Sequence, residues 1–151
     1  MAKLTDKQRE KIEDGKWIHA SMVVEVQGND KEHVKGALNK HIEKIKKERD
    51  AEVYDVSISE PADIGTNLYS LFADIKFIAK DFNALVHLAL LYSPSSVEVF
   101  EPKQIAFPIG DAQNILTDIS NIVTSLAHTI FIQEGQLMKY RAAEQQLKSE
   151  K

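Results

Sequence analysis

Residues 17–27 alternate between two faces, with Ile18, Ala20, Met22, Val24 and Val26 on one and Trp17, His19, Ser21, Val23 and Glu25 on the other. A two-residue period rich in β-branched side chains predicts a strand, and Gly28 breaks it. The period then lengthens. Val34, Leu38, His41, Ile42 and Ile45 recur at helical spacing behind an Asn29–Glu32 capping pair. Lys44, Lys46 and Lys47 lie where the dipole at a helix end favours cations. Tyr54, Val56 and Ile58 alternate with Asp55, Ser57 and Ser59 in a second strand that Pro61 stops, and residues 61–67 read as a loop. In the third strand, residues 68–79, Tyr69, Leu71, Ala73, Ile75 and Phe77 share a face. Asp81 caps a short helix over residues 82–91, whose apolar circumference predicts burial on more than one side. A fourth strand spans residues 97–100 and ends before Pro102. Upstream of all these, Thr5 and Gln8 form a capping-box pattern for a helix from Asp6 to Glu13, with Gly15 placed to end it in the left-handed conformation.

Glu60-Pro61 and Glu101-Pro102 each close a strand–helix–strand unit. Two such units in series predict the α+β class and a ferredoxin-like split βαβ sandwich, βαββαβ. The expected architecture is a four-stranded antiparallel sheet with two helices on one face, a short N-terminal helix and a long C-terminal one. Met22, Val24, Ile75 and Phe77 are the expected core against the two helices.

The C-terminal helix begins after Pro108, Ile109 and Gly110, with Asp111 in the capping region. Leu116, Val123, Ile130 and Leu137 are seven residues apart, as are Ile119, Leu126, Gln133, Tyr140 and Leu147. This is an a/d heptad seam. It weakens at Glu144, an a position, and Phe131 and Ile132 add apolar surface outside it. The expected division is an α+β domain over residues 1–110 and a docking or oligomerising helix over 111–151.

Composition removes several classes of function. The net charge of −4 opposes general nucleic-acid binding. The absence of cysteine removes disulfides, thiolate nucleophiles and cysteine zinc sites. The charged N-terminus has no apolar core of a signal peptide. The apolar stretch at residues 82–92 is too short to span a bilayer, so no membrane partner and a cytoplasmic location are expected.

The chemistry on offer is sparse. The sheet face opposite the two helices gathers His19, Glu25, Asp74, Lys76 and Glu98. A histidine beside a carboxylate can act as an acid or base, but cross-strand charge pairs use the same residues. No nucleophile, phosphate-cradling loop or metal-ligand spacing accompanies them, so no catalytic residue, metal or cofactor is expected. Regulatory domains of this topology bind small molecules near the loop after the first strand, where Gly28 stands. His19, Gly28, Asp74 and Glu98 are therefore the candidate ligand-binding residues. Phe72 on the open face and Ile122, Leu126, Ile130 and Leu137 on the long helix are the candidate oligomer interface. The expected function is a non-enzymatic homo-oligomeric interaction or assembly module. A symmetric dimer is the commonest closed form. The alternative is a small-ligand regulatory domain with its site near Gly28 or at a subunit interface.

Overall fold

The computed structural model of the chain describes residues 3–65 and 67–149, with side chains to residue 146. Among them are four helices, α1 (Asp6–Glu13), α2 (Lys31–Ile45), α3 (Phe82–Tyr92) and α4 (Ile109–Ser149). The five strands are β1 (Ile18–Gly28), β2 (Ala51–Ile58), β3 (Ala62–Gly65), β4 (Leu68–Ala79) and β5 (Ser96–Glu101). The chain divides into two compact units, Met1–Ala106 and Phe107–Lys151.

The first unit is an α+β domain on one antiparallel sheet in the order β2-β4-β1-β5, with β3 also paired to β4. β1 and β4 are the central neighbours, in continuous register from Ile18 opposite Ala79 to Gly28 opposite Tyr69. The expected four-stranded sheet is thus a five-stranded one. β2 reaches only Ala73, so the first residues of the longer β4 have a free edge. Pro61 cannot donate to the ladder and ends β2; the chain then re-pairs as β3, Ala62 opposite Ser70. The expected loop over residues 61–67 includes Thr66, which lies outside the described residues.

α2 and α3 pack on one face. Their apolar stripes meet the even residues of β1 and the odd residues of β4. Met22, Val24, Ile75 and Phe77 are fully buried there with Val34, Leu38, Ile42, Leu85 and Leu88. The whole cluster lies between residues 18 and 88, with Ile105 packed at its margin.

Local signals differ from expectation at two caps. The N-cap of α2 is Asp30, whose carboxylate accepts from the His33 amide, rather than Asn29. Beyond α1 the left-handed residue is Lys16, at φ 57°, not Gly15. Gly15 is needed for space: a Cβ there would stand 2.7 Å from the Lys11 carbonyl oxygen. The capping box of Thr5 and Gln8 and the Asp81 cap of α3 are present.

The second unit is dominated by α4, which starts at Ile109, two residues before Asp111. The Pro108 carbonyl accepts from the amides of Asp111 and Ala112 in its first turn.

Candidate functional site

Two places in the chain carry polar or apolar groups that the domain core does not use. One is the second face of the sheet. The other is the seam of α4.

On the second face, His19 is the centre of a cluster built by two β-bulges. β2 carries one residue too many between Val53 and Asp55, opposite consecutive residues of β4. β5 carries one too many between Val99 and Glu101, opposite Ala20 and His19. A bulge breaks the two-residue alternation and re-aims a side chain. Tyr54 thereby leaves the core face assigned to it by alternation and reaches His19, with 2.7 Å between its hydroxyl and Nε2. Phe100 lies on the other side, its ring centroid 4.9 Å from the imidazole. Glu101 stands 4.0 Å from His19 Nδ1 and accepts from Arg9 Nη1 of α1 at 3.1 Å.

Burial explains the electrostatics. Desolvation is the largest influence on His19 and holds its pKa below the ordinary 6.5, with Arg9 and Lys76 adding to the effect and Glu101 opposing it. Desolvation also raises the Tyr54 phenol. The phenol therefore keeps its proton, and it shares a hydrogen bond with Nε2 whose direction follows the imidazole tautomer. Lys76 pairs with Asp55 at 3.3 Å in the next row. His19 Nδ1 and Asp74 Oδ1 are buried and have no hydrogen-bond partner among the described residues.

α1 crosses this face. Arg9 bonds Glu101 of β5, and Lys11 bonds Glu52 of β2, at opposite edges of the sheet. Ile12 of α1 is buried, and Ile78 on this face is wholly buried. One end of the second face is therefore covered by the chain's own first helix. Phe72, near the other end, stays 49% exposed.

The four candidate ligand-binding residues do not form one group. His19 is joined to Tyr54 and Glu101 rather than to Asp74 or Glu98. Asp74 sits opposite Val23 and Ser57, and Glu98 opposite Ser21. Gly28 ends β1 nine residues from His19, about 30 Å along an extended strand. A Cβ at Gly28 would lie 2.9 Å from Val34 Cγ2, so its glycine lets α2 close on the strand. The one sign of Tyr54's role in the sequence is the apolar pair Val53 and Val56, three apart, a spacing that strict alternation does not allow.

A separate open cleft of about 400 Å³ lies at the His19 end of the sheet, between the end of α2 and the start of α3. Its lining includes Glu48, Asp50, Lys80, Asn83 and His87. Beside it, burial and the Glu48 carboxylate push the Tyr92 phenol up to about 12. No group of three or more metal-ligating side chains occurs among the described residues.

In α4 the seam residues Leu116, Val123, Leu126, Ile130 and Leu137 are 49–65% exposed. Phe131 and Met138 are exposed as well, and Ile122 is half-buried. The side chain of Leu147 lies outside the described residues. Over Ile109–Gln146 the helix is long and apolar enough to cross a membrane, its most apolar 18-residue window having a mean hydropathy of 1.4. The length of uninterrupted apolar runs does not reveal this, because Asp118, Asn121 and His128 break the run without lowering the average far.

Comparison with curated proteins and with solved structures gives no match. Residues 19–108 match the MJ0538 family; the match runs from the start of β1 to the residue before α4. Since it covers more than half of the 151 residues, the chain belongs to the MJ0538 family.

Proposed function

We propose that the protein is a non-enzymatic homo-oligomeric assembly module in which α4 joins copies of a ferredoxin-like domain. The observation that carries this reading is the exposed a/d seam of α4, five apolar side chains in register over three heptads. A single chain leaves an apolar surface larger than monomers tolerate. A second copy supplies the same seam, and self-complementary contacts of this kind close as symmetric oligomers. The strand order β2-β4-β1-β5, with α2 and α3 on one face, supports the ferredoxin-like assignment.

A bilayer is the competing cover for α4. Opposite the seam run Thr117, Asp118, Asn121, Thr124, Ser125 and His128. A lone span would bury Asn121, Thr124, Ser125 and His128 in hydrocarbon, where unpaired polar side chains are costly. Through His128 the strip favours a helix that is wet on one side and paired on the other. The acidic domain goes with a protein partner rather than nucleic acid, and the cytoplasmic location belongs to the same reading.

Sedimentation velocity of the purified chain at micromolar concentration tests the proposal. A discrete oligomer that remains in solution when mixed with liposomes is the expected result. A well-folded monomer, or flotation with the liposomes, contradicts it.

One observation favours a second reading, a small-ligand domain. His19 Nδ1 and Asp74 Oδ1 are buried polar atoms on one face with no partner among the described residues, and such groups are costly unless something satisfies them. Native mass spectrometry would then find a retained small mass that His19→Ala and Asp74→Asn release.

A further inference from the structure

Resting on the α4 reading, we propose that Gln133 sets the orientation of the assembly: the α4 helices pair parallel and in register, and the domains leave the bundle from one end. The seam is apolar at Leu116, Ile119, Val123, Leu126, Ile130 and Leu137, and Gln133 interrupts it at a d position. An amide closed into a seam needs a donor and an acceptor. In a parallel, in-register bundle Gln133 meets Gln133 of the next copy, and each amide gives the other what it lacks. A single polar layer of this kind specifies register in coiled coils.

The antiparallel alternative with full overlap is centred on His128. It places Leu126 against Ile130, Ile119 against Leu137 and Leu116 against Tyr140, all compatible with packing. Gln133 then falls against Val123, twice per pair of helices. Each of these layers leaves an amide unsatisfied. Charge does not separate the two arrangements, since the charged flanking residues Glu134 and Arg141 face neutral ones in both, Thr129 and Gln136 in the parallel bundle and Ser120 and Gln113 in the antiparallel one. The parallel bundle has one poor layer of its own. Glu144 at an a position brings like charges together, so the zipper ends before the last turns of α4. Because every α4 begins at Ile109, directly after the domain, parallel pairing gathers all copies of the domain at the same end. A partner with repeated binding sites is then held by several copies at once.

The absence of native cysteine makes the test direct. Full-length Leu116→Cys and Tyr140→Cys variants are oxidised separately and as a refolded equal mixture. Each variant alone is expected to cross-link to itself, with self-cross-linked products exceeding the mixed product in the mixture roughly ten-fold. A cross-link found only in the mixture overturns the proposal, as does an oligomer that cross-links in none of the three samples. Sedimentation of the same samples separates the two levels of failure: a monomer sinks the assembly reading, whereas an oligomer with only the mixed cross-link sinks the orientation alone. Gln133→Leu in both backgrounds gives a second measurement. It is expected to keep the oligomer while the mixed product rises to a level comparable with the self-cross-linked ones. Unchanged selectivity in that variant removes Gln133 from its assigned role.

Discussion

Phe77 has no exposed surface and faces the helices from the centre of β4. Truncating it removes its burial and leaves a cavity in a core that cannot fully collapse. Phe77→Ala is therefore expected to cost about 3–5 kcal/mol in urea or guanidinium melts. A loss below about 1 kcal/mol would mean the site is far less tightly packed than its burial indicates. His19 allows a prediction with a sign. Its folded pKa lies below the ordinary value, so the unfolded chain takes up the proton first as pH falls. Above about pH 6.5 the imidazole is neutral in both states, and its stabilising environment is fully present. Stability should fall as the pH drops through that value toward the lower folded pKa. His19→Gln should flatten this part of the profile, measured as denaturation midpoints between about pH 7.5 and pH 5.5. A wild-type profile as flat as the variant's would disprove the desolvated, neutral imidazole. The core residues were legible because alternation alone separates Met22 and Val24 from Ser21 and Val23. Tyr54 and Glu101 were not, because a bulge moves a side chain across the sheet without changing composition.

At the scale of elements, the long helix carries the sharpest prediction. Leu126 occupies the middle of the seam and is 55% exposed in the single chain. A charge there costs little in a monomer and much between two helices. Leu126→Glu should shift sedimentation to the monomer while leaving the near-ultraviolet dichroism of the α+β domain unchanged. An oligomer of unchanged mass would exclude the seam as the interface. α1 shows what element-level reading misses. The capping box located it correctly, but its docking across the second face depends on Arg9 reaching Glu101 and Lys11 reaching Glu52. Those pairs are 92 and 41 residues apart in sequence. β3 was missed for a related reason. Its four residues have no periodicity to read, and they pair because β4 offers an unfilled edge.

For the whole molecule, the core cluster ends well before α4, and the family match ends at residue 108. A chain of residues 1–108 should fold alone, as a monomer, with a cooperative melt close to that of the full chain. Aggregation or loss of cooperativity in that fragment would show that the sheet requires α4, its own or a neighbour's. The periodicities of the chain decided by themselves the α+β class, the buried faces of β1 and β4, and the existence of a long C-terminal helix. These follow from which side chains water excludes, and that is written in the order of the residues. The tertiary structure alone decided the fifth strand, the two bulges, the covering of the second face by α1, and the chain of contacts from Arg9 through Glu101 and His19 to Tyr54. Each of these depends on hydrogen-bond register and on groups brought together from distant segments, and no local pattern encodes where such groups meet.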